Sequence, residues 1–380
     1  MKKILFVIDS LHSGGAEKSL LSLLTLFDYK KYRVDLLLFS PKGLYFPLLP
    51  KEVNILEVFR QKRRFKDLYL RLRGSISLRN PYKVKRLHGA QISWSWMSKG
   101  MEQVEDEYDV AIAYSQGTPT YFVAEKVKAK KKFCWINTDY KIAPYNKTFD
   151  ARYYEKFDQV VAVSEGNKAV FVEEMPLAKK KTTVIYDIVS PSLIHSMAIQ
   201  EGGFDDDFTG MKILTIGRLV EAKGYDLAIE ACAKLVRQGY PIKWYVIGEG
   251  PLKEKMQQMI TKFKLEHFFV MLGTFQNPYV YLKQCDIYVQ TSRFEGFGLA
   301  IAEARILHKP VVATNFTVVH NQIKDGENGL IVKMNADDLV VGIQKILDDT
   351  LLRQRICKNL SKENIGTEAE IHKVYALIES

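Results

Sequence analysis

Short apolar runs alternate along this chain with stretches whose apolar residues return every three or four positions, and glycines punctuate most of the junctions. The run at 3–9 predicts a strand and 18–27 an amphipathic helix. Runs at 33–39, 54–58, 108–114, 132–136 and 158–163 predict further strands. A second series follows at 212–216, 244–247, 269–272, 286–290, 310–314 and 328–332, with helices over 226–237, 299–307 and 335–348 and in the tail at Ile371, Val374, Tyr375 and Ile378. Strands alternating with helical patterns predict an α/β protein with parallel, doubly wound sheets. A chain of 380 residues is long for one domain and suits two of about 180. The linker candidate is 191–210, which carries Gly202-Gly203 and Asp205-Asp206-Asp207.

The stretch with the most chemistry is Thr291-Ser292-Arg293-Phe294-Glu295-Gly296-Phe297-Gly298-Leu299-Ala300-Ile301-Ala302-Glu303. It joins a buried strand to a helix, and such a turn is an anion site. First-turn N–H groups and the positive end of the helix dipole favour phosphate, and Gly296 and Gly298 let the backbone approach it. Glu303 falls about five residues into the helix, roughly 7 Å along its axis, the reach from a nucleotide's diphosphate to its ribose. A carboxylate there can accept both ribose hydroxyls, and Glu295 can face whatever the diphosphate carries at its other end. The same residues also suit a helix whose dipole Glu295 compensates and whose solvated face holds Glu303. The stretch alone leaves both readings open.

Gly217-Arg218-Leu219-Val220-Glu221-Ala222-Lys223-Gly224 follows the run at 212–216, so Arg218 and Lys223 come at a strand's carboxyl end, where two cations can converge on one diphosphate. The run at 244–247 ends in a similar glycine turn, Gly248-Glu249-Gly250. In the first series, Asn137 and Asp139 follow the run at 132–136 in the position where sheet crevices bind ligands, although an acid in such a loop also serves as a cap. Gly14 and Gly15 occupy the first strand-to-helix turn, a placement common in α/β folds without ligands.

The Glu-Gly-Phe-Gly turn with a second glutamate eight residues after the first, together with the G-R-L-x-x-x-K-G segment from Gly217, resembles the signature of retaining glycosyltransferases of family 4 (glycosyl transferases group 1). The resemblance runs from near residue 1 to about 350. It implies the GT-B fold, two Rossmann-like domains facing each other across a cleft. The expected domains are an acceptor-side one at 1–195, with a C-terminal helix of about 365–380 packing back on it, and a nucleotide-sugar-binding one at 210–364. By resemblance, Glu303 binds the ribose, Glu295 contacts the donor sugar, and the backbone of Gly296, Phe297, Gly298 and Leu299 holds the diphosphate. Arg218 and Lys223 hold the leaving phosphates, and Gly217 and Gly248 count among the donor-binding glycines. Phe275, in the segment that lines the family's base pocket, is a candidate base contact or a core residue. Gly14-Gly15 resembles the glycine loop facing donor phosphates and acceptor. Many relatives carry a histidine near the reacting carbon where this chain has Asn137. Asparagine cannot shuttle a proton, but it can hydrogen-bond a sugar, and retaining enzymes of this fold need no general base on the protein. Asp139 is the candidate for orienting an acceptor hydroxyl.

Charge adds a second theme. The net charge of +11 is concentrated at 59–99, where twelve Lys or Arg meet the single acid Asp67, among aromatic and leucine residues that include Phe59, Tyr69, Leu70, Leu72, Trp94 and Trp96. That mixture suits an anionic membrane surface, at about 1 kcal/mol per basic residue, or else a solvated helix face. Nucleic acid is not expected, because no helix-turn-helix, zinc-finger or RNA-recognition pattern accompanies the charge. Ile4 to Ile8 behind Lys2-Lys3 imitates a signal peptide, but Asp9 ends it, and no apolar run reaches about 18 residues. The expected location is cytoplasmic, peripheral on the inner face of the cell membrane. Cys134, Cys232, Cys285 and Cys357 are scattered and the seven histidines show no metal-ligand spacing. Asp205 and Asp207 have D-x-D spacing but fall in the linker candidate, so no metal and no cofactor are expected. The expected activity is retaining transfer of a sugar from a UDP- or GDP-sugar donor to an acceptor hydroxyl, on a lipid-linked glycan in surface polysaccharide synthesis. The alternatives are a non-catalytic nucleotide-sugar-binding partner subunit and a GT-B nucleotide-sugar epimerase.

Overall fold

The computed structural model describes residues 1–12, 14–57, 64–143 and 145–380. These form two compact units: Met1–His12, Ala16–Tyr186 and Glu370–Ser380 make the first, and Asp187–Ala369, with Gly14 and Gly15, make the second.

In the first unit the elements run β1 (Lys2–Ile8), α1 (Gly15–Thr25), β2 (Tyr32–Leu38), β3 (Asn54–Glu57), α2 (Arg64–Leu78), α3 (Pro81–Val84), α4 (Gly89–Met97), β4 (Glu107–Ala113), α5 (Thr118–Lys126), β5 (Lys128–Ile136), α6 (Lys147–Tyr154), β6 (Gln159–Ala162), α7 (Glu165–Glu174) and β7 (Thr182–Val184). Its seven strands lie in the order β3-β2-β1-β4-β5-β6-β7 and every pair is parallel. Parallel strands need crossovers, which cover both faces of the sheet, and this explains why the central strands read as unbroken apolar runs. Ile4, Leu5, Phe6 and Val7 of β1 are fully buried. The Ser164 hydroxyl caps α7 by accepting the Asn167 N–H at 3.0 Å, although asparagine stands where a capping box would have Glu or Gln.

The second unit runs α8 (Pro191–Ala198), β8 (Met211–Ile216), α9 (Tyr225–Arg237), β9 (Ile242–Ile247), α10 (Lys253–Phe263), β10 (Phe269–Gly273), α11 (Tyr279–Gln284), β11 (Ile287–Gln290), α12 (Leu299–Ile306), β12 (Val311–Thr314), β13 (Leu330–Val332), α13 (Ala336–Asp348) and α14 (Thr350–Leu360). Its six parallel strands lie in the order β10-β9-β8-β11-β12-β13. The winding reverses between the adjacent strands β8 and β11, and the carboxyl ends of strands at such a switch point are where open α/β sheets bind ligands.

The final helix, α15 (Glu370–Glu379), belongs to the first unit. Ile371, Val374 and Ile378 are buried, Tyr375 stacks on Tyr32 at 5.4 Å, and the Tyr375 hydroxyl accepts the Asp28 N–H at 2.8 Å.

Part of the linker candidate is helical: α8 starts with Pro191 behind the capping hydroxyl of Ser190 and buries Ile194 and Ala198. Asp206 accepts from Lys243 Nζ and the Tyr245 hydroxyl, each at 2.6 Å, whereas Asp205 and Asp207 are exposed.

The basic segment divides in two. Leu70 and Trp94 are core residues, the Trp94 indole donating to Glu125 at 3.2 Å, while Tyr69, Leu72 and Ile76 on α2 and Tyr82 and Val84 beyond it are exposed. Phe59, Arg60, Lys62 and Arg63 lie outside the described residues. Among the described residues no helix is long and apolar enough to cross a membrane.

Candidate active site

The second unit's candidate residues gather at the carboxyl ends of β8 and β11. Gly217 and Arg218 leave β8, and the chain then makes a short helical turn over Glu221–Lys223. Lys223 folds back over this segment, so that a Cβ on Gly217 would lie 3.2 Å from Lys223 Cε. Its ammonium forms an ion pair with Glu295 Oε1. The same oxygen accepts from Ser292 Oγ at 2.6 Å and Gln290 Nε2 at 2.9 Å. Gln290 is in turn fixed by the Tyr288 hydroxyl, which donates to its Oε1 and whose ionisation burial pushes far upward. The Arg218 side chain is exposed and makes no hydrogen bond or ion pair among the described residues.

The loop carrying Lys223 is tied to the loop carrying Glu295. Thr291 Oγ1 donates to Lys223 O at 2.7 Å, and the Arg293 N–H donates to Ala222 O at 2.7 Å. The Arg293 guanidinium grips both oxygens of Asp226 at 2.9 and 2.6 Å. Burial opposes ionisation of Asp226, but the guanidinium and the N–H groups that open α9 outweigh it and hold the carboxyl below its usual range. The cation and the carboxylate are thus positioned by one stitched pair of loops.

Gly296, Phe297 and Gly298 follow as the lead-in to α12. Gly298 is its N-cap, with φ of 87°, a backbone conformation that favours glycine, and a Cβ there would crowd Gln322 Nε2 at 3.2 Å. Leu299 opens the helix, whose first-turn N–H groups have no carbonyl partners within it. One turn on, Glu303 is 3% exposed and its Oε1 accepts the Tyr279 hydroxyl at 3.3 Å. This burial removes the solvated-face reading of Glu303. Gly248 lies against β8's exit, where a Cβ would fall 1.9 Å from Gly217 O, so the turns after β8 and β9 approach backbone to backbone. Phe275 packs on Tyr281 at 4.6 Å, which itself packs on Phe204, and the structure does not bring it into the Lys223–Glu295 cluster.

Residues 206–363, which contain the whole cluster, match the family model described as glycosyl transferases group 1. Residues 206–363 are a group 1 glycosyltransferase region, and the chain is a glycosyltransferase. It is 27% identical, over 95% of its own length and 94% of the relative's, to the N-acetylgalactosamine-N,N'-diacetylbacillosaminyl-diphospho-undecaprenol 4-alpha-N-acetylgalactosaminyltransferase of Campylobacter jejuni. Among solved structures it is similar to a TarM variant of S. aureus in complex with fondaparinux, alpha-GlcNAc-glycerol and UDP, with a TM-score of 0.72 over all of both chains at 18% identity. It is similar also to HepE of Anabaena in complex with UDP-glucose, with a TM-score of 0.71 over all of both chains at 20% identity. The two doubly wound, Rossmann-like units are those of the GT-B fold.

In the first unit of this glycosyltransferase, Asn137 follows β5 and is held at two points. Its Nδ2 donates to Tyr114 O at 2.6 Å and its N–H donates to Gln116 Oε1 at 3.0 Å. Asp139 is buried, and its Oδ1 accepts the N–H groups of Lys141 at 2.9 Å and Ile142 at 3.1 Å, so this oxygen caps the turn after the strand. Gly15 opens α1 and Gly14 is buried beside it.

Sequence reasoning missed Gln290, Ser292, Arg293 with Asp226, and Gln322. The available signal was Gln290-Thr291-Ser292, three polar residues closing an apolar strand, all of them buried in the fold. A polar run at the carboxyl end of a switch-point strand marks side chains that serve a site. Gln322, in contrast, comes 19 positions after Glu303 in a segment with no motif of its own, and only the fold brings it to Gly298.

Proposed function

We propose that this enzyme transfers a sugar, with retention of configuration as in family 4, from a nucleoside diphosphate sugar of the UDP or GDP type to an acceptor hydroxyl. The observation that carries the reading is the Lys223–Glu295 ion pair beside Gly217-Arg218 and the α12 N-terminus, all at the switch point. As the bond from the anomeric carbon to the diphosphate oxygen breaks, negative charge grows on the diphosphate and positive charge on the sugar. Arg218, Lys223 and the N–H groups of Gly298 and Leu299 stabilise the departing diphosphate through preorganised electrostatics, with no metal required. The acceptor oxygen bonds to the anomeric carbon on the face the diphosphate leaves, and its proton passes to the departing oxygen. Glu303 takes the ribose hydroxyls and Glu295 the donor sugar. Asn137, on the first unit, and the Gly14-Gly15 loop at the start of α1 are the residues proposed to meet the sugar and the acceptor, while the backbone bonds of Asp139 favour a structural role for it. The related proteins support the donor class, since TarM and HepE were crystallised with UDP or UDP-glucose. The purified chain, given a panel of nucleotide sugars, is expected to release nucleoside diphosphate from one or a few of them. Release from none, with an undecaprenyl-diphosphate glycan present as acceptor, contradicts the reading.

The lipid-linked acceptor rests on the Campylobacter relative and on the exposed face of α2, where Tyr69, Leu72 and Ile76 recur at helical spacing beside Arg73 and Arg79. Such a face suits an anionic membrane surface, with apolar side chains entering the interface and basic ones at the headgroups. The chain is expected to pellet with vesicles containing anionic lipid, less so at high salt, and Leu72→Glu with Ile76→Glu is expected to abolish it. Pelleting that survives both substitutions assigns the contact elsewhere.

A further inference from the structure

We infer that Gln322 is a positioning residue for the diphosphate cradle: its side-chain amide aims the N–H groups of Gly298 and Leu299 at the phosphates. The inference rests on the proposed donor site and adds to it a residue from outside the motif. Gln322 lies on the loop between β12 and β13, and its Nε2 donates to both Phe297 O and Gly298 O, the latter at 3.2 Å. A trans peptide is planar, with carbonyl and N–H on opposite sides. Drawing these two successive carbonyls to one NH2 group therefore turns the N–H groups of Gly298 and Leu299 to the far side, together. They point where an anion at the α12 N-terminus would lie.

The cost of keeping an amide here argues for that role. Gln322 is 5% exposed, and its Oε1 is buried with no hydrogen-bond partner among the described residues. An unmet buried acceptor is destabilising, and an apolar side chain of similar size would fill the space without it. The donor half of the amide is what the position uses. The residue is also anchored from behind. Asn328 Nδ2 donates to Gln322 O at 3.3 Å and to Glu363 Oε1 at 2.7 Å, and Glu363 Oε2 accepts from Arg305 at 2.6 Å, in the last turn of α12. One strap thus holds α12 at both ends, fixing the cradle and Glu303 on a single rigid helix.

The test compares Gln322→Leu and Gln322→Asn with the wild-type chain, using UDP and GDP as probes in calorimetric titrations and following thermal melting in parallel. Wild type is expected to bind one of the two. Gln322→Leu is expected to weaken that binding at least tenfold in the folded protein, whereas its melting balances the loss of the donor to Phe297 O against the loss of the unmet acceptor. A merely structural role would move melting and leave the affinity of the folded protein alone. Gln322→Asn keeps the amide but withdraws it by about 1.5 Å, and it is expected to lose affinity as well. If Gln322→Leu does not fold, the asparagine variant decides. Unchanged diphosphate affinity in a folded variant overturns the inference alone. A wild-type chain that binds neither UDP nor GDP overturns the donor site and the inference together.

Discussion

Replacing Arg218 with alanine is expected to lower kcat by about 10²–10³, the loss of roughly 2.7–4 kcal/mol of transition-state stabilisation that follows removal of one preorganised charge-stabilising group. The expectation is clean, because the exposed Arg218 side chain has no hydrogen-bond or ion-pair partner among the described residues, so its removal breaks none. Melting is expected to stay within about 0.5 kcal/mol of wild type in stability. Lys223 is different. It neutralises Glu295, whose Oε1 also holds Ser292 and Gln290, and Lys223→Ala leaves that carboxylate without its cation. Lys223→Ala is therefore expected to lower both kcat and stability, and the double variant to fall below either single one in turnover. Steady-state kinetics beside thermal melts separate the two effects. Wild-type turnover in the double variant would remove the fixed-cation mechanism.

The second large effect is expected at Glu303. Its side chain is buried, one oxygen accepts the Tyr279 hydroxyl, and it sits on α12 one turn from the cradle. Glu303→Gln keeps the size and the Tyr279 contact but removes the charge that strengthens hydrogen bonds from ribose hydroxyls. A charge-assisted hydrogen bond contributes about 1.5–3 kcal/mol, so donor KM and nucleotide Kd are expected to rise about ten- to hundredfold, with kcat less affected. A change in kcat at unaltered KM would place Glu303 with the reacting centre rather than with the ribose.

Much of this was legible before any coordinates. The unbroken apolar runs mark strands covered on both faces, and the glycine turns mark strand ends, so both doubly wound sheets can be read from the chain. The 291–303 stretch is legible for the same reason: a strand, two glycines and a helix fix where its glutamates fall. What could not be read is what depends on tertiary approach. β7 has only three residues and α14 follows α13 with almost no break, so neither has a distinct pattern. Leu70 and Trp94 share a basic, aromatic segment with Tyr69 and Leu72, and only packing decides that the first two face the core. Asp139 shows the limit in the other direction. Its place after a strand suggests chemistry, whereas the hydrogen bonds from Lys141 and Ile142 show an oxygen engaged in shaping a turn. Arg293 is inside the most informative stretch of the sequence, yet its partner Asp226 is 67 positions away.

The most direct measurement is the position of a bound nucleoside diphosphate in a crystal of the chain grown with UDP or GDP. The expected result places the ribose hydroxyls on the Glu303 carboxylate and the diphosphate between the N–H groups of Gly298 and Leu299 and the side chains of Arg218 and Lys223. A nucleotide seated away from residues 295–303 would contradict the assignment of the site and the mechanism built on it.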